Sequence, residues 1–302
     1  MGHDDSPLVD ARAVRRFADR AACRLGNTAD VLAREIESRM IDRLSLIRLD
    51  PKRILDAGAG RFPAFASLHS KYPAAEVIAL DFACRALVVA RRGRGTAERL
   101  REWVRTSRLC FLCSDFTRIP IAGSSVALIW SNLSLGSHLD VKSVFDEWHR
   151  VLETGGLMMF SAYGPDTLKE LRAAFPMSVP RVHPFIDMHD LGDMLMASGF
   201  ADPVMEMETL TLTYRSIEQL LAEIRATGQS NARSLRRRGL NGRRSWEDAL
   251  AAYERARQDG LLPATVEVVY GHAWKTERKN APDGRAIVRF EPSARRRSNR
   301  AN

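Results

Sequence analysis

The chain has 302 residues, of which 45% are hydrophobic, so it can bury a large core as one enlarged α/β domain or as one domain with a lid. No run of residues approaches the uncharged apolar length of a membrane span, and the first residues lack the basic and apolar stretches of a secretory signal. We therefore expect a cytoplasmic protein. Its cysteines are few and scattered, which predicts reduced thiols at Cys23, Cys84, Cys110 and Cys113.

The formal net charge of +9 comes from two segments of the chain. Residues 276–302 contain eight Lys or Arg against three acids, and residues 233–244 contain six Arg and no acid. The remainder is slightly acidic, so the folded body is not a basic surface. A role on RNA would rest on the arginines alone, because the aromatic residues that stack on bases are not interleaved with them. We predict residues 276–302 to be a disordered tail.

Residues 9–47 are predicted to be helical. Apolar residues recur there mostly at intervals of three and four, as at Val14, Phe17, Ile36, Met40 and Leu44. This pattern predicts an N-terminal helical segment over residues 1–48.

Residues 49–163 alternate predicted strands with predicted helices. Strands are predicted from Arg53 up to the glycines and over residues 76–81, 109–116, 127–132 and 157–163. Helices are predicted near residues 62–71, 83–105 and 140–152. Because strand–helix–strand crossovers are almost always right-handed, this alternation predicts a parallel sheet.

Residues 164–275 have a different pattern. Helices are predicted over residues 166–175 and 188–198, followed by a half-exposed strand over residues 204–214. A helical insert over residues 216–260 follows, and the β-branched run 266–274 is predicted to close the sheet. We expect this half to form the substrate side, with the insert as a lid.

Acids and glycines stand where successive predicted strands end. Asp56 is followed by Gly58 and Gly60, which allow a sharp turn and close approach of a ligand to the backbone. Asp81 lies about twenty residues further on, the spacing at which a carboxylate accepts the hydroxyls of a ribose. Asp115 and Asn132 follow later strands. The sequence thus predicts a ligand site beyond the carboxyl ends of the strands.

Other chemical motifs point away from metal or nucleophilic catalysis. Cys110 and Cys113 form a C-x-x-C, but positions three apart in a strand point to opposite faces of the sheet. No zinc-ligand spacing, Ser-His-Asp arrangement or nucleophile elbow is visible, so we expect no metal.

These motifs resemble the class I S-adenosylmethionine-dependent methyltransferases, and later ones resemble the BioC branch, the malonyl-acyl-carrier-protein O-methyltransferases of biotin synthesis. The resemblance spans about residues 9–275. It rests on Asp-x-Gly-x-Gly and on the later stretches 131–133, 147–157, 161–171, 183–192 and 270–275. It implies a Rossmann-like seven-stranded α/β sheet with N-terminal helices and a helical lid insertion.

The resemblance also implies site residues. Those expected to hold S-adenosylmethionine are Asp56, Gly58, Gly60, Asp81, Phe82, Asp115, Phe116, Ser131 and Asn132. Candidate substrate residues are Arg15, Arg16, Phe17, His183, Phe185, His189, Tyr214 and His272. The arginines Arg233, Arg236, Arg237, Arg238, Arg243 and Arg244 are predicted to dock an acidic acyl-carrier protein.

The implied reaction needs little from catalytic side chains. A carboxylate acceptor is already ionised at neutral pH, so no general base is required, and proximity and alignment supply the rate. Two alternatives remain open within this branch: a protein like the arginine hydroxylase that assists assembly of respiratory complex I, and a non-catalytic member. The latter would follow if Phe62, which replaces the usual third glycine of the loop, narrows the cofactor cleft.

Overall fold

The computed structural model describes residues 10–23, 29–61, 64–93, 109–137, 140–175, 182–228, 230–232 and 243–277. Nine α-helices are found in these ranges: α1 (Ala11–Ala22), α2 (Ala29–Ser45), α3 (Phe65–Lys71), α4 (Cys84–Gly93), α5 (Val141–Val151), α6 (Lys169–Ala174), α7 (Met188–Ala197), α8 (Ile217–Thr227) and α9 (Arg243–Glu254). The strands are β1 (Arg53–Ala57), β2 (Glu76–Asp81), β3 (Leu109–Cys113), β4 (Val126–Ser131), β5 (Leu152–Tyr163), β6 (Ala201–Tyr214) and β7 (Leu262–Trp274).

The strands form one seven-stranded sheet in the order β3-β2-β1-β4-β5-β7-β6. Strands β1 to β5 pair in parallel, whereas β7 runs antiparallel between β5 and β6. The strand order reverses between β1 and β4, and in such sheets the connections that leave the carboxyl ends of the two strands diverge and form a crevice. The predicted seven-stranded sheet is confirmed.

Each face of the sheet is covered by apolar helix surfaces. On one face, Ile36, Met40 and Leu44 of α2 pack on the sheet with Leu68 of α3, at the spacing of one buried helix face. On the other face, Phe145 and Trp148 of α5 pack against the sheet with α7. All of these side chains except Met40 are fully buried, and Met40 is 1% exposed, so the sheet is buried on both sides.

Strand β5 begins at Leu152, five residues before the predicted start at Leu157. Gly155, with φ +82°, and Gly156 lie inside it rather than before it. The backbone explains the extension, since Gly155 N–H donates to the Lys275 carbonyl and Lys275 N–H donates to the Gly156 carbonyl. Gly155 and Gly156, a pair that by pattern would end the preceding helix, instead pair with the residues that follow β7.

The prediction that all cysteines are reduced thiols is wrong for two of them. Cys84, at the start of α4, and Cys113, at the end of β3, form a disulfide. Strands β2 and β3 are parallel neighbours, with Asp81 opposite Cys113, so the turn after β2 lies beside the end of β3. The count and scatter of cysteines could not show this proximity. Cys23 and Cys110 are exposed and form no disulfide.

Among the described helices, none combines the length and the apolar character that crossing a bilayer requires.

Candidate functional site

A cavity of about 210 Å³ lies beyond the carboxyl ends of β1, β2 and β4. The loop after β1 forms its floor, the turn after β2 one side, and the segment after β4 the other. Helices α1 and α2 and the C-terminal end of α8 cover it. This is the crevice where ligands bind in open α/β sheets.

The glycine loop has a backbone that side chains would disturb. Gly58 has φ +89°, and a Cβ added there would lie 2.2 Å from the Ser134 Cβ. Gly60 has φ +57°, so it too occupies the left-handed region that favours glycine. The Gly58 and Ala59 amides both donate to the Leu80 carbonyl, which holds the loop against the end of β2.

Asp81 ends β2 with its carboxylate beside the glycine loop. One oxygen accepts from the Gly60 amide at 2.9 Å and the other from the Ala83 amide at 2.7 Å. Burial raises the pKa of Asp81 to about 6, against these two hydrogen bonds, which lower it. Each carboxylate oxygen has a second lone pair, so Asp81 can still accept hydrogen bonds from a ligand in the cavity.

Two further carboxyl groups line the same cavity. Asp56 is 3% exposed and accepts from the Ala64 amide at 2.8 Å. Its pKa is raised to about 8, mainly by burial and in part by the negative charges of Glu37 and Asp81. Burial also raises the pKa of Glu37, a residue of α2 that accepts from the Ser67 hydroxyl. The raised pKa values mean that burial disfavours the ionised forms of Asp56 and Glu37. A cationic ligand group nearby would stabilise these ionised forms.

The segment after β4 is held by side-chain hydrogen bonds. Asn132 donates to the Ala33 carbonyl of α2 at 2.8 Å and accepts from the Ser161 hydroxyl at 2.7 Å. The Ser131 hydroxyl lies 2.5 Å from that of Ser134, and Ser134 donates to the Ala57 carbonyl. Asn132 lines the cavity, whereas Ser131 is fully buried behind it.

Tyr163 ends β5 and also lines the cavity. Burial raises its pKa well above the ordinary tyrosine value, and the nearby Glu223 of α8 raises it further. Its hydroxyl is therefore neutral, and it can donate a hydrogen bond at physiological pH. Across the cavity, Gly228 after α8 lies so close to α1 that an added Cβ would be 3.1 Å from the Ala18 Cα.

Helix α1 covers the cavity with small side chains. Ala18, Ala21 and Ala22 are the α1 residues that line it. Arg15 and Arg16, predicted as substrate residues, are exposed on this helix and do not line the cavity.

The predicted Phe17 packs half-buried against a small cluster of Ala13, Val14 and Ala232. The helix therefore reaches the site through its C-terminal residues Ala18 to Ala22, whereas the two arginines precede that stretch.

Of the expected cofactor residues, Asp56, Gly58, Gly60, Asp81, Phe82 and Asn132 line the cavity. Three others lie outside its lining, one of them the buried Ser131. The exposed Asp115 accepts from both the amide and the hydroxyl of Thr117, and Phe116 is fully buried in the core beside Trp148.

The remaining substrate candidates are dispersed. His183 and Phe185 line a second cavity, whereas His189 is exposed in the first turn of α7. Tyr214 is buried in the cluster between α6 and α8, and burial raises its pKa above the usual range. His272 is on β7, where burial lowers its pKa, and it lines neither cavity.

Several predicted positions lie outside the described residues. They are Phe62 of the glycine loop and the arginines Arg233, Arg236, Arg237 and Arg238. Arg243 and Arg244 are described, and both are exposed in the first turn of α9.

Glu37 and Tyr163 are cavity residues that the sequence interpretation missed. Tyr163 could have been found, since it stands at the end of a strand just as Asp56 and Asp81 do. Glu37 gave no such signal, because it is one of several acids on α2 and only the packing of α2 on the sheet brings it to the cavity.

Comparisons with known proteins agree with this geometry. Residues 55–160 match the family described as Methyltransferase domain. The fold resembles crystal structures of a candidate methyltransferase from Bacillus halodurans (TM-score 0.55, 14% identity, covering 80% of this chain and 99% of that one) and of the YcgJ protein from Bacillus subtilis (TM-score 0.53, 14% identity, covering 81% and 99%). The sheet is therefore the Rossmann-like fold of class I methyltransferases.

Curated relatives are more similar in sequence. A malonyl-(acyl-carrier protein) O-methyltransferase from Gallionella capsiferriformans is 45% identical over 284 residues, which cover 93% of this chain and 97% of the relative. The protein of the same name from Laribacter hongkongensis is 45% identical over 292 residues, covering 95% and 97%. Because such relatives match nearly the whole of both chains, the chain belongs to the malonyl-(acyl-carrier protein) O-methyltransferase family.

Proposed function

We propose that this protein transfers the methyl group of S-adenosylmethionine to the free carboxylate of malonyl-acyl-carrier protein. The observation that carries the proposal is the cavity at the carboxyl ends of β1, β2 and β4, with the buried Asp56 and Asp81 and the half-buried Glu37 in its wall, in a chain whose relatives bear that name.

The residues that line the cavity fit S-adenosylmethionine. The Asp81 carboxylate would accept the ribose hydroxyls, and the Phe82 ring with Ala83 and Ala86 offers an apolar surface for adenine. Asp56 and Glu37 supply negative charge for the ammonium and sulfonium groups of the cofactor, whose positive charges would lower the raised pKa values of both carboxyl groups.

The bound cofactor supplies an electrophilic methyl group on a positively charged sulfur. Transfer to a carboxylate oxygen of the substrate would break the carbon–sulfur bond and would give a methyl ester and a neutral thioether. No proton moves, since the acceptor is already ionised. The protein has to hold the acceptor in line and exclude water, and the neutral Tyr163 hydroxyl is a donor placed at the cavity wall for that purpose.

The proposal also extends to the carrier partner and to biotin synthesis, in which esterification would mask the charge of the malonyl group. Arg243 and Arg244 present positive charge on the helical insert that covers the cavity, which suits an acidic carrier protein. The names of the relatives favour carboxyl methylation over the arginine hydroxylase alternative. A cytoplasmic location remains a prediction.

The test is transfer of label from methyl-labelled S-adenosylmethionine to carrier protein. We expect label on malonyl-acyl-carrier protein and none on acetyl-acyl-carrier protein, which lacks the free carboxylate. Label on neither substrate, with cofactor binding intact, would favour the hydroxylase alternative. Failure to bind the cofactor at all would favour a non-catalytic protein.

A further inference from the structure

A second cavity, of about 150 Å³, lies among helices α6, α8 and α9 and is named here the insert chamber. Its walls include Leu171 and Phe175 from the α6 side, Leu221 and Ile224 of α8, and Trp246 of α9. None of the described residues that line it carries a full charge, and its polar side chains are His183 and Asn231. It therefore suits an uncharged ligand with a few amide groups better than a carboxylate.

The insert chamber is separated from the cofactor cavity by aromatic rings. Tyr163 lines the cofactor cavity, Phe185 lines the insert chamber, and the centroids of the two rings are 5.6 Å apart. A ligand in the chamber would thus lie one ring contact away from the site of methyl transfer.

The other end of the insert chamber leads towards positive charge. The Trp246 ring packs on the Phe175 ring at 5.8 Å, and Arg243 and Arg244 precede Trp246 in the first turn of α9. Arg243 pairs with Glu247 on the same helix, and its side chain is 92% exposed. The order is therefore cofactor cavity, aromatic contact, uncharged chamber and exposed cations.

The malonyl-carrier substrate has the same order of chemical groups. A carboxylate is followed by a thioester, then by the uncharged diamide arm of pantetheine, and then by a phosphodiester on an acidic protein. We propose that the insert chamber binds the pantetheine arm of the carrier-bound thioester, with the malonyl group passing Phe185 to reach the cofactor cavity. This inference rests on the proposed function, because that function names a carrier-bound substrate.

The experiment compares binding of holo-acyl-carrier protein, which carries the arm, with binding of apo-acyl-carrier protein, which lacks it, by titration calorimetry. Wild type should bind the holo form more tightly. Ile224→Phe, which fills the chamber, and Trp246→Ala, which removes a wall, should each reduce the holo-to-apo affinity ratio by about tenfold. Ile121→Phe is the matched control, because it enlarges a half-buried side chain outside both cavities and should leave the ratio unchanged.

The outcomes separate this inference from the proposed function. A holo-to-apo preference that both chamber variants abolish supports the chamber even if no methyl group is transferred to the malonyl form. Equal affinity for holo and apo carrier in a wild-type protein that does methylate malonyl-carrier would overturn the chamber and leave the function standing. If both folded variants keep the preference for the holo form, the chamber does not bind the pantetheine arm. The arm would then bind elsewhere, or residues of this chain would fill the chamber.

Discussion

Asp81 joins the backbone of the glycine loop to that of the next turn. Its carboxylate is bonded to the Gly60 and Ala83 amides and faces the cavity. The exposed Asp115 accepts from the amide and the hydroxyl of Thr117 and does not line the cavity. The two acids end neighbouring strands in the sequence pattern, but only Asp81 is in position to hold a ligand in this cavity.

We predict that Asp81→Ala weakens S-adenosylmethionine binding by about 1 to 3 kcal/mol, the range for losing hydrogen bonds to a charged group. Asp115→Ala is the matched control and should have a smaller effect. Titration calorimetry measures both, with thermal unfolding to confirm that each variant is folded. If the Asp115 variant loses as much affinity as the Asp81 variant, the cavity described here is not where the cofactor binds.

Asp56 should make stability depend on pH. Its pKa is raised by burial to about 8 in the folded protein from an ordinary value of 3.8, so between these values the folded state keeps a proton that the unfolded state has lost. Folding stability should therefore fall as the pH rises through that window.

Asp56→Asn cannot ionise and can still accept from the Ala64 amide, so wild type should lose stability relative to this variant between about pH 5 and about pH 8. Urea unfolding midpoints at several pH values measure the difference. Parallel pH profiles for the two proteins would show that Asp56 is already ionised in the folded state.

The cavity residues that could be predicted from the sequence are those at the ends of strands. Asp56, Gly58, Asp81 and Asn132 were found because an apolar run ending in a polar residue marks the rim of a parallel sheet. Glu37 was missed because its place depends on how α2 packs.

The substrate candidates were not chosen by their position at strand ends, and the described ones lie outside the cofactor cavity. His189 is exposed and Tyr214 is in the core. Their positions could not be predicted, because a sequence motif does not show where a side chain lies in the fold.

Among the elements, the Cys84–Cys113 disulfide connects α4 to β3 beside the Asp81 turn. The bonded cysteines are separated by 29 residues, and closing a loop of that length is worth about 3 to 4 kcal/mol in the chain-entropy description. We predict that Cys113→Ser lowers the free energy of unfolding by an amount of that order.

Denaturant unfolding without reductant measures this loss, and Cys23→Ser serves as the control with a free, exposed cysteine. Peptide mapping under non-oxidising conditions should recover the Cys84–Cys113 pair. Recovery of free thiols at both positions in protein purified without reductant would contradict the pairing.

Glu267 of β7 accepts the hydrogen bonds that hold the turn after β5. This residue is 5% exposed, and its carboxylate accepts from the Asp166 amide at 2.5 Å. Its backbone carbonyl accepts from the Gly164 amide and the Thr167 hydroxyl, and a Cβ on Gly164 would lie 2.6 Å from the Glu267 Cδ. The stretch from Tyr163 to Thr167 thus has its shape because β7 runs beside it.

We predict that Glu267→Ala destabilises the fold by about 1 to 3 kcal/mol, because the Asp166 amide loses a buried acceptor. Lys169→Ala, which removes an exposed ion pair to Asp166 in the same turn, should change stability by less than about 0.5 kcal/mol. Equal unfolding midpoints for the two variants would mean that Glu267 does not hold this turn.

The order and type of the elements could be predicted well from periodicity, but some boundaries could not. Strand β6 starts at Ala201 and β7 at Leu262, each earlier than predicted, because the two strands pair along nearly their whole length. Such pairing depends on a distant part of the chain, so it leaves little local signal near Pro203 or Pro263.

Across the whole molecule, charge is expected to direct the carrier protein. Arg243 and Arg244 stand at the N-terminal end of α9, where the helix dipole disfavours cations, and no acid lies in the first turn. Arg243 has an ion pair with Glu247, but the helix dipole opposes both cations, so helix stability alone does not account for them. A steering role would make association depend on salt, since charges are screened over about 8 Å at physiological ionic strength.

We predict that the double variant Arg243→Glu, Arg244→Glu raises the KM for malonyl-acyl-carrier protein by more than the KM for malonyl-pantetheine, and reduces the salt dependence of the former. Glutamates at a helix N-terminus favour the helix, whereas Arg243→Glu also removes the ion pair with Glu247, so circular dichroism of the variant has to show that its helix content is unchanged. Lys142→Glu is the control, because Lys142 also lies in the first turn of a helix and pairs with an acid four residues on. Equal increases for both substrates would mean that the arginines shape the pocket.

We expect the malonyl carboxylate to be the methyl acceptor. Intact mass spectrometry of malonyl-acyl-carrier protein, after incubation with the protein and S-adenosylmethionine, tests it most directly. We expect the carrier to gain the mass of one methylene on its malonyl group, and Asp81→Ala to form the product more slowly at low cofactor concentration. An unchanged carrier mass with wild-type protein that demonstrably binds S-adenosylmethionine would contradict the account.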